Sequence, residues 1–258
     1  MPNSSKENRI LLRILTIVGI ASAACFIFYF AWLWWEARRM KFVQYPEFGI
    51  TIPAGYQIHG IDVSKYQDYI SWDAVKEMQV HDVKLGFAFI KATEGVNDTD
   101  PLFKRNWRKA KDAGIIRGAY HFFIAAKDGK VQAKNFTRRV ELESGDLPPV
   151  LDVEQTFGTS PSQLRKGVKA WLDAVEMYYA VRPVIYTNVD FYEKYLKGFF
   201  DDYPLWVAHY LQPNRPRISR DWLFWQHSEQ GRVNGILSKV DFNVFNGDSV
   251  MFRGMLVP

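Results

Sequence analysis

Apolar and polar positions follow two alternating patterns along most of the chain. Short apolar runs rich in Val, Ile and Phe, such as Leu85–Ala92, are typical of buried strands. Between these runs, apolar residues recur at helical spacing, as Leu164, Val168 and Trp171 do after the capping pair Ser160-Pro161. The pattern therefore predicts strands that alternate with helices.

The predicted elements have a clear order. Strands are expected at Gln57–Val63, Leu85–Ala92, Ile116–Phe123, 149–154, Pro183–Thr187, Leu205–Ala208, Leu223–His227 and Val240–Phe245. Helices are expected from Ser71, from Asp100-Pro101 to Gly114, over Gly129–Leu142, from Ser160-Pro161 and over Asp190–Leu196. Five strand–helix units followed by three strands predict an α/β barrel related to the (β/α)8 type, with its last helices lost. An open, doubly wound sheet is the alternative.

The N-terminal segment differs from the rest. Ile14 to Trp35 carries no charge, and as a helix it would reach ~33 Å, enough to cross a bilayer. Tyr29, Trp32 and Trp34 lie in its second half, as an interfacial belt does. We expect an uncleaved signal anchor at 14–35, a tail at 1–13, a linker at 36–56 and a domain at 57–258. A cleaved signal is the alternative.

The basic excess lies mainly around this apolar segment. The chain has a net charge of +5, and residues 1–46 hold six basic and two acidic residues. The domain is close to neutral and has no nucleic-acid motif, so we expect no nucleic-acid partner. Three basic residues lie on each side of the apolar segment, so charge does not decide its orientation.

Motifs for cofactors are missing from the sequence. GxGxxG and GxxxxGK[ST] are both absent, which weakens nucleotide-binding interpretations. The only cysteine, Cys25, lies in the apolar segment, and no HExxH spacing occurs. We expect no cofactor and no zinc site.

Asp152 and Glu154 end the apolar run that starts at Pro149. Side chains alternate along a strand, so both carboxylates face one side, ~7 Å apart along the chain. Carboxylates at the end of a buried strand are costly unless they are paired or used. Taken alone, the pair is also compatible with a helix cap or a salt bridge.

In a barrel, the strand ends meet at one mouth, and polar or aromatic residues recur there. They are Asp62, Glu94, Tyr120, His121, Asp152, Glu154, Tyr186, Trp206, Trp225, Gln226 and Asp241. Crowded carboxylates raise the pKa of the least solvated one, which can then hold a proton near neutral pH. Such an acid in an aromatic groove suits glycoside hydrolysis, whereas a divalent cation bound by oxygen ligands is the competing use.

Five motifs together resemble glycoside hydrolase family 25, the lysozymes (N-acetylmuramidases) of the Chalaropsis type, over about residues 57–246. These motifs are Gly60-Ile61-Asp62-Val63-Ser64, Phe89-Ile90-Lys91-Ala92-Thr93-Glu94-Gly95, Gly118-Ala119-Tyr120-His121-Phe122, Leu151-Asp152-Val153-Glu154 and Val240-Asp241-Phe242-Asn243.

The resemblance implies a flattened (β/α)5β3 barrel that cleaves the β-1,4 bond from N-acetylmuramic acid to N-acetylglucosamine with net retention. It assigns Glu154 as general acid and Asp152 as the neighbouring carboxylate that helps the substrate's acetamido group or stabilises the oxocarbenium-like state. Because Asp152 lies deeper than Glu154, we expect it to stay charged. Asp62 and Asp241 match the other two acids of the site. Substrate contacts are expected from Glu94, Tyr120, His121, Tyr186, Trp206, Trp225 and Gln226.

The substrate sets the expected location. Peptidoglycan lies outside the cytoplasm, so we expect a single-pass protein with a cytoplasmic N-terminus, bound to the bilayer through residues 14–35. Two other functions remain open. One is an inactive glycan-binding module on the same barrel, and the other is a metal-dependent hydrolase of another class.

Overall fold

The computed structural model describes residues 4–37, 42–212 and 214–258. The chain forms two compact units, residues 1–41 and 42–258. The described part of the first unit is one helix, α1 (Ser4–Ala37), so the predicted tail is helical from Ser4 onward. Within it, Leu12–Trp35 has a mean hydropathy of 2.3, and none of this stretch is buried. By length and composition α1 is able to cross a membrane, and it contains the predicted span 14–35.

The second unit holds alternating strands and helices. The strands are β1 (Phe42–Tyr45), β2 (Ile50–Pro53), β3 (His59–Val63), β4 (Gln79–Val80), β5 (Val83–Glu94), β6 (Asp98–Thr99), β7 (Ile116–Phe122), β8 (Val150–Asp152), β9 (Val184–Asn188), β10 (Leu205–Ala208), β11 (Phe224–Gly231) and β12 (Val240–Phe245). The helices are α2 (Trp72–Glu77), α3 (Phe103–Asp112), α4 (Gly129–Thr137), α5 (Pro161–Tyr179), α6 (Val189–Phe191) and α7 (Ser249–Gly254). A 3-10 turn covers Lys65–Gln67, and a π turn follows α6 over Tyr192–Leu196.

Eight of these strands close into a barrel in the order β3-β12-β11-β10-β9-β8-β7-β5, with β5 pairing back to β3. Neighbouring strands are parallel except at β12, which runs antiparallel to both β11 and β3. The closed barrel confirms the predicted class, and the open doubly wound alternative is wrong.

Alternation along the strands sorts side chains into two layers. One side faces the barrel interior, which is filled by Phe87, Phe89, Trp206 and Phe224, and the other packs against the surrounding helices. The interior rings need room on neighbouring strands. A Cβ on Gly60 would lie 2.6 Å from the Phe87 ring, so the residue there has to be glycine.

Residues 42–56 correct the predicted linker, although residues 38–41 lie outside the described part. β1 and β2 form an antiparallel hairpin, and its Tyr45, Phe48 and Ile52 are buried. The Phe48 ring lies 5.2 Å from that of Phe242 in β12. The hairpin therefore belongs to the core of the second unit, because its apolar positions cover the barrel's outer surface.

The short helix α7 was not predicted. Its Phe252 ring lies 5.7 Å from Phe87 and 5.0 Å from Phe245. Phe245 ends the antiparallel β12, and Phe87 pairs with Ile116 at the start of β7. The helix thus closes the barrel at the amino ends of its parallel strands, the end opposite the predicted site.

Candidate active site

The carboxyl ends of the parallel strands surround an open cavity of about 230 Å³. Its lining includes most of the predicted site. The lining residues are Asp62, Val63, Ser64, Tyr66, Gln67, Lys91, Tyr120, Phe122, Asp152, Glu154, Tyr186, Trp206, Gln226 and Asp241. The four predicted carboxylates therefore share one cavity.

Asp62 and Asp241 are direct cross-strand partners on β3 and β12. We expected Asp241 at the carboxyl end of its strand, but it is the second residue of β12. The antiparallel direction of β12 corrects this point and explains the pairing. The start of an antiparallel strand lies beside the carboxyl end of its neighbour.

Amide side chains hold Asp62 in place. Its Oδ2 accepts hydrogen bonds from Gln226 Nε2 (2.8 Å) and Asn243 Nδ2 (2.7 Å). Asn243 in turn accepts a hydrogen bond from Trp206 Nε1 (2.7 Å). Gln226 Oε1 accepts hydrogen bonds from the hydroxyls of Tyr186 (2.8 Å) and Tyr210 (2.6 Å). This connected network fixes the carboxylate in a buried site.

The Asp62–Asp241 pair shares a proton. Burial, repulsion from Asp62 and a hydrogen bond to Asp62 raise the pKa of Asp241 to about 9. Burial also raises the pKa of Asp62, while the hydrogen bonds from Asn243, Gln226 and Asp241 oppose that shift. At neutral pH Asp241 therefore keeps the proton and donates it to Asp62.

Asp152 and Glu154 differ in depth. Asp152 is buried, and its Oδ1 has no hydrogen-bond partner among the described residues. Burial, followed by repulsion from Glu154, raises the pKa of Asp152 well above its usual range. Glu154 is half-buried, and burial followed by repulsion from Asp62 raises its pKa too. Burial therefore favours the protonated form of Asp152, whereas from the sequence we expected this group to stay charged.

Lys91 provides the positive charge beside these acids. Its Nζ lies 2.7 Å from Glu94 Oε2 and 4.8 Å from the centre of the Phe122 ring. The charge lowers the pKa of both Asp152 and Glu154, against the effect of burial. It thus limits how strongly the two acids hold their protons.

Aromatic side chains form the floor of the cavity. Trp206 is buried there, with the Tyr186 ring 4.3 Å away and the Tyr120 ring 6.5 Å away. Burial raises the pKa of Tyr120 and of Tyr186 well above the usual value, so both hydroxyls stay protonated. The cavity therefore offers flat apolar surfaces together with hydroxyl donors, as sugar-binding sites do.

Comparison with known proteins identifies the barrel. Residues 61–236 match glycosyl hydrolases family 25. The chain belongs to glycosyl hydrolase family 25. It is 48% identical over 200 residues to Escherichia coli K12 YegX, covering 78% of this chain and 74% of that protein. Lysozyme M1 of Streptomyces globisporus is 38% identical over 211 residues, covering 74% of this chain and 69% of that protein.

A solved structure agrees in fold. The family 25 glycosyl hydrolase from Bacillus anthracis superposes with a TM-score of 0.73 at 29% identity. The match covers 82% of this chain and 99% of that one. The comparison confirms the resemblance drawn from the five motifs, and this chain is a glycoside hydrolase by family.

Two predicted contact residues of this family 25 chain do not reach the cavity. His121 is fully buried behind the barrel wall, with its ring stacked 5.7 Å from Trp171 and its Nδ1 2.7 Å from Thr93 Oγ1. Trp225 is buried on the same outer layer, and its Nε1 donates to the His209 carbonyl (2.8 Å). Both predictions are corrected. His121 and Trp225 directly adjoin Tyr120 and Gln226, and adjacent strand residues face opposite sides.

Glu94 lies at the edge rather than in the lining. Its side chain is 39% exposed and pairs with Lys91, which itself faces the cavity. Repulsion from Glu94 also contributes to the raised pKa of Asp152. Glu94 therefore acts on the site through Lys91 and through charge.

Sequence reasoning missed several residues at the site of this family 25 member, among them Lys91, Asn243, Tyr66 and Tyr210. Two had a signal in the sequence. Lys91 is a lone cation inside an apolar strand, and Asn243 lies two residues after Asp241 and so faces the same side. Tyr66 lies in the 3-10 turn after β3 and Tyr210 lies in the loop after β10, and only the folded barrel determines where these connections lie.

Proposed function

We propose that this chain is a muramidase that cleaves the β-1,4 bond between N-acetylmuramic acid and N-acetylglucosamine in peptidoglycan, with net retention. Family membership and the similarity to a protein named lysozyme support the reaction class. The observation that carries the proposal is the buried Oδ1 of Asp152, next to Glu154, which has no hydrogen-bond partner in the part of the chain that the structure describes. An orphaned acceptor inside a sugar-sized cleft is a site for a substrate donor.

Glu154 is the proton donor in this proposal. It is the more exposed of the two acids, so its carboxyl group can reach the glycosidic oxygen. Its raised pKa keeps it protonated closer to neutral pH, as a general acid requires. Proton transfer to the leaving oxygen then breaks the glycosidic bond as positive charge develops on the sugar ring. Water completes the hydrolysis by adding to the anomeric carbon, and its proton returns to Glu154.

Asp152 stabilises that charge. Its free Oδ1 is available to accept a hydrogen bond from the substrate's acetamido N–H. Substrate binding and the developing positive charge favour the ionised form of Asp152, against the effect of burial. The proton that Asp152 releases passes to solvent water.

Asp62 and Asp241 position the reacting sugar. Asp62 accepts hydrogen bonds from the side-chain amides of Gln226 and Asn243. It keeps its negative charge because Asp241 holds the proton of the pair. A fixed negative charge beside the cleft stabilises the oxocarbenium-like transition state.

The proposal is tested with Glu154→Gln and Asp152→Asn in the full chain. Each change should lower release of reducing ends from purified peptidoglycan by about 10²–10⁴-fold, the usual contribution of one acid–base group. Glu141→Gln, an exposed site outside the cavity, is the matched control and should keep full activity. Near-wild-type hydrolysis by Glu154→Gln would contradict the assignment.

Product analysis separates the alternatives. Mass spectrometry of digested peptidoglycan should find N-acetylmuramic acid at the new reducing end, and NMR should first detect its β-anomer. Glycan binding without new reducing ends would instead identify a binding module. A metal-dependent hydrolase would lose activity in EDTA. Within residues 4–37, 42–212 and 214–258, no group of three or more His, Cys, Asp and Glu is arranged to hold a metal ion.

We also propose that α1 is a signal anchor, with the N-terminus in the cytoplasm and the barrel on the side of the polymer. One apolar helix of sufficient length supports this.

The finer description of the barrel as flattened (β/α)5β3 stays part of the proposal. It is supported by helical segments after β3, β5, β7, β8 and β9.

A further inference from the structure

The amino-end face of the barrel, opposite the cleft, has a cationic cleft of its own. This basic cleft is lined by Phe103, Lys104, Trp107, Arg108, Lys111, Asp112, Arg117, Arg138, Arg139, Glu141 and Glu143. Arg117 is the second residue of β7, and Arg138 and Arg139 directly follow α4. The basic cleft therefore starts at the end where the parallel strands begin.

Positively charged side chains outnumber acids in the basic cleft. The acids Asp112 and Glu143 are paired with Lys109 and with Lys111 and Arg117, respectively. In contrast, Arg108, Arg138 and Arg139 are exposed and have no ion-pair partner among the described residues. Glu141 is the only other acid in the lining. The cleft thus presents a surplus of free guanidinium groups, which suit phosphate oxygens.

Exposed apolar side chains lie in the last turn of α5, where Met177 and Tyr178 are 83% and 64% exposed. Tyr179 donates its hydroxyl hydrogen bond to the Val140 carbonyl (2.6 Å), and the Tyr178 ring lies 4.8 Å from the Tyr179 ring. This end of α5 therefore lies against the segment that directly follows Arg138 and Arg139. Cations combined with exposed Met and Tyr are typical of surfaces that meet lipid headgroups.

The second unit begins on the same side of the barrel as the basic cleft. The Tyr45 hydroxyl in β1 donates to Asp82 Oδ1 (3.2 Å), and its ring lies 6.0 Å from His81. His81 and Asp82 directly precede β5, so the start of this unit lies near the amino ends of the strands.

We propose that the amino-end face docks on anionic phospholipid headgroups of the bilayer that α1 spans, with Arg108, Arg138 and Arg139 binding phosphate. Docking in this way turns the catalytic mouth away from the membrane and toward the polymer. The inference rests on the proposed membrane anchoring and is independent of the catalytic roles.

The test uses the full chain in nanodiscs, with Cys25→Ser and a fluorophore attached at Met177→Cys. Lipids carrying a headgroup nitroxide report proximity by quenching. In nanodiscs containing phosphatidylglycerol, quenching should be severalfold stronger than in neutral phosphatidylcholine, and high salt should remove the difference. Equal quenching in both lipids would overturn the proposal, as would failure of the chain to remain in the disc.

Matched charge reversals locate the effect. Arg108→Glu, Arg138→Glu and Arg139→Glu together should abolish the extra quenching. Lys127→Glu, Lys130→Glu and Lys166→Glu change the net charge equally at exposed sites elsewhere and should preserve it. If the control triple variant loses as much of the extra quenching, the basic cleft is not the docking surface. Hydrolysis of soluble glycan fragments, measured on the same samples, should be unchanged, which distinguishes failure of docking from failure of the muramidase proposal.

Discussion

Single carboxyl groups in the cleft owe their properties to their immediate partners. Asp62 and Asp241 are chemically alike and adjacent in the sheet, yet two amide donors favour charge on Asp62 and leave the proton on Asp241. Asp152 and Glu154 differ instead in solvent access, and Lys91 opposes the effect of burial on both. The same residue type therefore serves different roles within one cavity.

This arrangement predicts a pH dependence of stability. The pKa of Asp241 is raised to about 9 in the fold, so the folded state binds a proton that the unfolded state has released. Stability from this group is fully present below the unfolded pKa and is lost as pH rises toward 9, by up to about 1.4 kcal/mol per pH unit for one proton. Asp241→Asn cannot ionise and still offers a donor to Asp62.

The measurement is thermal unfolding of the full chain in detergent between pH 7 and 9. Wild type should lose stability over this range, and Asp241→Asn should lose distinctly less. Asp248→Asn, at the cap of α7, is the control and should follow wild type. Parallel pH curves for wild type and Asp241→Asn would show that no proton is held there.

At the scale of elements, the strands determine which way each side chain faces, and the glycines determine what fits inside. Phe87 and Phe89 on β5 reach across the barrel only because Gly60 on β3 and Gly118 on β7 carry no Cβ. These rings support Trp206, which lies under the cleft at a ring distance of 4.3 Å from Phe89. The floor of the site thus depends on packing in the layer below it.

Gly60→Ala tests that dependence. The added methyl would lie 2.6 Å from the Phe87 ring, so the ring must move, and overpacking of this kind costs about 1–3 kcal/mol. Gly86→Ala is the matched control in a barrel strand, because its nearest neighbour would be 3.8 Å away. Denaturant unfolding should destabilise the first variant and leave the second near wild type. Equal stability of the two would contradict the packing described for the interior.

At the scale of the whole molecule, the chain combines an apolar helix with a barrel whose two ends differ. One end has the carboxylate cleft, and the other has α7, the basic cleft and the entry of the chain. The hairpin β1–β2 packs on the barrel wall, so the second unit begins at residue 42.

The orientation of the chain is predicted from its substrate. A phosphatase that is active only outside the cytoplasm, fused after Pro258, should be active in cells. The same reporter fused before Met1 is the control and should be inactive. The reverse pattern of activity would place the barrel in the cytoplasm and would exclude peptidoglycan as its substrate.

Much of the fold and the cleft could be predicted from local patterns. The apolar runs indicated all eight barrel strands, and eight of the eleven predicted site residues line one cavity. His121 and Trp225 do not line the cavity, although each directly adjoins a residue that does. A position at the end of a strand brings a residue near the cavity, but every second side chain along the strand faces the outer layer. Glu94 is close to the cavity but points to its edge.

Local sequence by itself determined the apolar helix, the barrel strands and the set of acids, because these follow from periodicity and residue type. The tertiary structure alone decided the antiparallel insertion of β12, which pairs Asp241 with Asp62. It also decided which acid holds a proton, how the hairpin joins the core and where the free cations of the basic cleft gather. These features depend on contacts between residues far apart in the chain, and on burial, which no short stretch of sequence encodes.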